Sequence, residues 1–417
     1  GRYDPLAGMN ADGSIPKVAL PDDLDRPDRW RYIPEGRIKP GNIFQRFLVS
    51  TFIAPIVIAE QDIGAGGGLA LTDIDFRGQR RREFLGVFAT YTTEGQQRYA
   101  VSWRRWLEHR ELPTGGVAME ERSWVNANAR YEKTLTRRFY GFGSETTESN
   151  ETSYTDESIS AGLTWQESWP VPGDDLVWAV SVRGEYHNID QGKVSDVAST
   201  DEIYPQLTAA ADGSSALTLL AQIRYDTRDS QHAPYSGGRI GLTGEWSPYQ
   251  EGFDQGGSLT LDGSYIIPVP GIFHRGGDAS EEHPPTDVIA LGAFVTESFG
   301  ELPFYRLPSL GGRDTLRGYI AGRWTDTSSW HASSEYRMWF LPRGFGWGQF
   351  RVERLGTALW FDIGSVADGL DELPDAKVHT SVGTGLRISL ERQAQFRFDV
   401  GFSDEDTTFT IAYGMAF

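Results

Sequence analysis

The side chains able to do chemistry in this chain are carboxylates, guanidinium groups and seven histidines; cysteine is absent from all 417 residues. That absence excludes thiol catalysis, disulfide cross-links and thiolate-bound zinc together. The histidines stand singly between His109 and His379, with no HExxH pair, and no GxSxG or GxxxxGK[ST] segment occurs. No local motif therefore supplies a nucleophile with its base or a phosphate cradle, and the chain reads as a non-enzyme with no cofactor and no metal. Gly64, Gly66, Gly67 and Gly68 form a cluster, but no strand-then-helix pattern frames them, so close strand packing explains them better than phosphate binding. Glu145, Glu148, Glu151, Asp156 and Glu157 follow one another with no intervening base. They could hold a cation, yet a solvated acidic loop is the simpler reading. The formal charge of −19 argues against nucleic acid as a partner, because such binding needs a basic face.

The elements that would position any of these groups are strands. Mean hydropathy is −0.41, and the longest apolar stretch, residues 47–59, is interrupted by Ser50, Thr51 and Pro55, so no helix of this chain can span a bilayer. Glycine is abundant, at 48 of 417 residues, with 13 Trp, 17 Tyr and 22 Phe; this aromatic content rules out disorder. Residues 408–417, TFTIAYGMAF, alternate without a fault: Phe409, Ile411, Tyr413, Met415 and Phe417 on one face, Thr408, Thr410, Ala412, Gly414 and Ala416 on the other. Residues 395–402 and 381–390 do the same. In each run the greasy face carries aromatic or branched residues and the other carries small and charged ones. That is the pattern of strands with one side toward lipid and one toward a polar lumen.

Read throughout, the alternation predicts an all-β fold: a 16-stranded antiparallel transmembrane β-barrel over residues 46–417. The strands fall near 48–57, 66–76, 83–93, 97–108, 122–135, 154–167, 175–188, 215–228, 237–247, 256–267, 286–298, 329–341, 352–364, 378–390, 394–403 and 407–417. With both ends on the periplasmic side, the long connections 136–153, 188–214 and 299–328 point outward and short turns such as 390–394 point inward. Residues 1–45 hold Pro5, Pro16, Pro21, Pro27, Pro34 and Pro40. Such a stretch is poor in backbone donors and reads as an irregular, proline-rich periplasmic arm, with a short helix near 41–49.

Four motifs sit on this frame. The connection between strands eleven and twelve reads LPSLGGRDTLRGYIAGRWTD over residues 307–326, strand thirteen carries LWFDIG at 359–364, YDTRD stands at 225–229, and RFYGFGSET at 138–146. Their order and spacing resemble the BamA/TamA/FhaC superfamily of outer-membrane barrels across about residues 48–417. The resemblance implies that the loop between strands eleven and twelve folds into the lumen and latches there through Arg317, Gly318 and Tyr319. It also implies a tuning role for this latch in barrel conformation, and location in the outer membrane of a Gram-negative bacterium after removal of a signal peptide. Residues 1–45 are too short for the periplasmic POTRA domains of those relatives, so the chain is expected to be a stand-alone member.

Alternation places Asp362 and Glu335 on the polar faces of their strands. A guanidinium brought into the lumen requires such partners, because an unpaired buried charge is costly, and its fork suits carboxylates. Gly318 allows close approach to the wall and Tyr319 fills space beside it. At the closure, Pro55 on strand one lacks an N–H to donate and Gly414 on strand sixteen is free to bend, which predicts a weak lateral seam. Tyr413 and the terminal Phe417 resemble the C-terminal signal that barrel assembly machinery reads. Expected partners are outer-membrane lipids and lipopolysaccharide, that machinery for the chain's own insertion, and a periplasmic partner or a second copy. Three functions fit: an assembly or translocation factor working through latch and seam, a passive porin-like channel, or an oligomerising scaffold.

Overall fold

The computed structural model describes residues 3–38, 51–347, 350–390 and 394–415. Sixteen strands close into one antiparallel barrel: β1 Thr51–Glu60, β2 Gly64–Asp73, β3 Glu83–Thr92, β4 Gln97–Trp106, β5 Trp124–Phe139, β6 Thr152–Trp169, β7 Leu176–Gln191, β8 Ser214–Asp226, β9 Gly237–Gln250, β10 Gly256–Val269, β11 Asp287–Gly300, β12 Ser328–Leu341, β13 Phe350–Ala367, β14 His379–Leu390, β15 Ala394–Phe402 and β16 Thr407–Tyr413. The expected helix near 41–49, the start of the first expected strand and Phe417 lie outside the described residues. β1 begins and β16 finishes at one end of the barrel, the terminal end; the opposite end is the loop end.

The inside-out pattern holds along the wall. Leu69, Ile159, Phe409 and Tyr413 are largely exposed outward, whereas Thr408, Thr410, Asp362, Ser381 and Arg387 are buried inward. Fixed two-residue periodicity is what sorts them, since a one-residue slip would turn every charged side chain toward lipid. β5 and β6 run further toward the loop end than alternation suggested. A register shift between Thr134 and Arg137 breaks the period there while the ladder continues. At the loop end, the β7–β8 connection holds two short helices, Thr200–Ile203 and Pro205–Ala211. They pack Tyr204, Leu207 and Ala211 against Phe139, Tyr154, Ile189 and Phe304.

The expectation of short connections at the terminal end is corrected. Residues 107–123 are long because they build a small sheet outside the barrel, and residues 270–286 because they meet the N-terminal arm at a Pro16–Glu281 bridge. Val117–Glu120 pairs with His109–Glu111 and, on its other side, with Trp30–Ile33 of the N-terminal arm. Apart from two 3-10 turns, Pro27–Arg29 and Glu35–Arg37, and the bridge from Pro16 to Glu281, the arm is otherwise turns and coil from residue 3 to residue 38, and it lies against that sheet.

Candidate functional site

The β11–β12 connection, residues 301–327, places Arg317 in the lumen, 2% exposed. The guanidinium grips Asp362 of β13 with both branches: Nε donates to Oδ2 at 2.9 Å and Nη2 to Oδ1 at 3.0 Å, while the Arg317 backbone N–H donates to Oδ2 at 3.0 Å. Nη1 donates to Glu335 Oε2 on β12 at 2.7 Å and Nη2 to Ser333 Oγ at 3.2 Å. Ser333 Oγ in turn donates to Asp362 Oδ1 at 2.6 Å. The flat cation also lies 4.1 Å from the centre of the Trp360 ring, a favourable placement over the negative ring face. The structure therefore brings together Arg317, Asp362 and Glu335 as alternation and charge require.

Gly318 meets the wall closely: a Cβ there would stand 2.7 Å from Phe402 O and 2.7 Å from Ser381 Cβ. Gly401 serves the same approach from β15, since its Cβ would stand 2.2 Å from Arg317 O. Tyr319 donates its hydroxyl to Asp404, and Thr380 O lies 3.2 Å from the same oxygen. Its ring meets Trp324 edge-on, and Trp324 stacks on His379 with ring centres 3.6 Å apart.

The sequence reading missed how far the charges extend. Glu335 Oε1 also accepts from Arg337 Nε at 2.9 Å and lies 3.1 Å from Arg387 Nη2; Arg387 Nη1 donates to Asp399 Oδ1 at 2.6 Å. Arg397 pairs with Asp399 and, across to the loop, with Asp314. Four arginines and four carboxylates thus join the loop to β12, β13, β14 and β15 in a charge-balanced chain. Arg387, Arg397 and Asp399 were visible as polar residues on the inner faces of alternating strands, but their pairing is long-range. Further out, Arg323 donates to Glu405 and to Thr146 O at 3.0 Å. Gly143 N–H donates to Thr325 O at 3.1 Å, so the 138–146 motif packs on this same loop. In the YDTRD motif, Arg228 folds back bidentately on Asp226 at 3.0 and 2.9 Å. The acidic run is not a free cation site: Glu151, Asp156 and Glu157 meet Arg138, His187 and Lys133.

At the closure, β1 and β16 share a single ladder pair among the described residues, Ala59 with Ile411. The neighbouring β15–β16 ladder runs unbroken from Phe396–Tyr413 to Phe402–Thr407, and β1–β2 from Thr51–Asp73 to Glu60–Gly64. Pro55 sits on β1 opposite Leu69 of β2, and Gly414 adopts φ +90° just beyond β16. Tyr413 packs edge-on against Phe396 at 5.5 Å on the outer face. Loop and seam touch: Arg313 Nη1 lies 3.4 Å from Glu60 Oε1 of β1.

A family profile described as the Omp85 superfamily domain matches residues 82–417. The chain belongs to the Omp85 superfamily. Among solved structures, the Omp85 barrel is similar to BamA from Haemophilus ducreyi lacking POTRA domains 1-3, with TM-score 0.54 and 15% identity over 88% of this chain and 70% of that one. It is also similar to CdiB from Acinetobacter baumannii, with TM-score 0.50 and 12% identity over 88% of this chain and 60% of that one. At such identities the likeness is one of fold. A search of curated proteins finds no match. As an Omp85 member with a closed 16-stranded barrel, the protein is an outer-membrane protein.

Proposed function

We propose that this barrel is an assembly or translocation factor of the BamA/TamA/FhaC type, which admits a client strand or lipid through the β1–β16 seam under control of the Arg317 latch. The observation that carries this reading is the contrast at the closure: among the described residues, one ladder pair beside ladders that run nearly the length of their strands. An unpaired strand edge is a template for another strand. The charge-balanced latch braces β12 to β15, while across the seam side chains stand in for ladder bonds: Arg313 of the loop meets its neighbour Asp314 and Glu60 of β1, and Gln61 donates to Asp406. Gly318 and Gly401 supply the close approach that keeps the loop seated, and Arg317 supplies the fixed charge that both carboxylates need. The partners on this reading are outer-membrane lipids, lipopolysaccharide and a periplasmic chain that delivers the client.

The test is reconstitution of the full chain in liposomes, with an unfolded outer-membrane barrel protein offered as substrate. Accelerated folding of that substrate relative to empty liposomes supports the reading. Steady ion conductance with no effect on substrate folding favours the porin-like channel instead, and inertness in both assays favours the scaffold.

A further inference from the structure

One stretch of chain crosses the terminal-end mouth of the barrel. Residues 3–38 reach six of the connections that ring that mouth. Leu6 lies against Gly346 between β12 and β13. Lys17 N–H donates to Ser280 O at 2.6 Å and Glu282 N–H to Ile15 O at 2.8 Å, between β10 and β11. Arg29 donates to Arg228 O at 2.7 Å between β8 and β9, and pairs with Asp175 at 2.7 Å between β6 and β7. Asp23 pairs with Arg110 at 2.8 Å between β4 and β5, and Glu35 with Arg80 at 2.7 Å between β2 and β3. These contacts follow the rim from β13 to β2, but the strap's two ends meet, Asp4 N–H donating to Gly36 O at 2.9 Å, and Arg31 interacts with Glu121, Glu282 and Glu353 from the β4–β5 connection, the β10–β11 connection and β13, which places the strap over the opening as well.

Its seat is a strand edge. Trp30–Ile33 pairs antiparallel with Val117–Glu120, from Trp30–Glu120 to Ile33–Val117. Trp30 and Tyr32 pack with Leu24, Leu112 and Ala118. Ile33 packs with Val117 and Met119, and Arg31 pairs with Glu121 at 3.1 Å. Val117–Glu120 is buried throughout, and His109–Glu111 covers its other edge. Removal of the strap would leave one edge of that strand with unpaired backbone groups beside what the strap does not itself supply to the two apolar clusters, Leu112 and Ala118 in the first and Val117 and Met119 in the second. The strap's outer anchors are weak by comparison. The side chains of Arg110 and Asp23 are 41% and 66% exposed, and those of Arg80 and Glu35 32% and 52%. Such exposed pairs contribute little each; the firmer anchors are Arg29 on Asp175, 14% and 16% exposed, and the backbone bonds at Ile15 and Lys17, and none of them belongs to a barrel ladder.

We propose that the Val117–Glu120 edge is a strand-docking site, held in cis by residues 30–33, and that an extended segment of a second chain displaces them and uncovers the lumen. The fitting segment is aromatic, basic, aromatic, then β-branched, because those four positions meet the first apolar cluster, Glu121, the first cluster again and the second cluster. This rests on the strap's geometry alone and holds whether or not the barrel assembles clients.

A chain without native cysteine allows a direct test. Ser181→Cys places one thiol on the lumen wall of β7, whose neighbours Val180 and Val182 are exposed outward. Labelling by a bulky maleimide is expected to be slow in that protein. It should accelerate at least tenfold when Arg29→Ala and Arg31→Ala are added, or, as a second variant, Ile33→Asp. A synthetic peptide of residues 28–36 should accelerate it in the same way, saturably, and a scrambled peptide should not. Equal labelling rates in every case overturn the proposal. Acceleration by the variants with no effect of the peptide also overturns it, since the strap would then be a stopper without a docking edge. Heat-modifiable gel mobility confirms that each variant retains a closed barrel.

Discussion

Arg317 is a full charge placed where water is scarce, and its two carboxylates are the condition for its being there. Arg317→Ala leaves Asp362 and Glu335 facing one another with less than their share of positive charge, a loss on the order of 3–5 kcal/mol for a broken buried pair. The expected outcome is a lower temperature for the heat-modifiable gel shift and higher conductance in a planar bilayer, because the loop is no longer tied to β13. Arg317→Lys should recover only part of this, since an ammonium cannot bond Asp362 along two parallel branches while also reaching Glu335. Wild-type behaviour of Arg317→Ala would show that the charged chain through Arg387 and Asp399 holds the loop without it. Gly401→Ala tests the same seat from the wall. Its Cβ would fall 2.2 Å from Arg317 O, so the loop must lift, and conductance should rise as in Arg317→Ala with every charge left in place.

The strap and the latch loop are the two elements that occupy the ends of the barrel, and acid should separate them. Glu35 is held below the usual carboxylate range by the hydrogen bond from Arg80 and by the Gly116 N–H; it also faces Tyr32, and Arg80 faces Glu111. Asp23 is lowered by its hydrogen bond from Arg110. For carboxylates depressed in the folded state, the contribution is present above the ordinary pKa of about 4 and is lost as pH falls through the lower folded value. Labelling of Ser181→Cys protein, corrected for the maleimide's own pH dependence, should therefore stay flat down to about pH 4 and rise only below it. A rise already near neutral pH would mean that other groups hold the strap. These elements also show what the sequence could and could not disclose. The sixteen strands were legible because lipid on one side and a polar lumen on the other impose a strict two-residue period. The pairing of Arg317 with Asp362 was legible because it needs only the loop's inward fold and two inner-face carboxylates. The three-stranded sheet outside the barrel was not: proline spacing in residues 1–45 spoke for coil, and the four-residue strand Trp30–Ile33 forms only because Val117–Glu120, far along the chain, offers an edge. The bulge after Thr134 was invisible for a related reason, since it interrupts the very period that reveals a strand.

For the whole molecule, these parts describe a barrel occupied at both ends and loosely joined along one side. The loop-end cluster around Phe139 and Phe304, the latch loop and the strap leave no reason to expect a wide, steady pore, so wild-type protein should show little conductance at neutral pH, in contrast to a porin of equal strand number. What can move is the side wall. β12 to β15 are tied through four arginines and their four carboxylate partners, while among the described residues β1 pairs with β16 only at Ala59 and Ile411. The most direct measurement is activity with that seam locked. Ala59→Cys and Ile411→Cys place two thiols at its one described ladder pair, with no native cysteine to compete. Substrate-folding activity in liposomes should be close to wild type when the pair is reduced, fall at least tenfold when it is oxidised, and return on reduction. Full activity with the disulfide formed would contradict lateral opening and leave the lumen as the only route through this barrel.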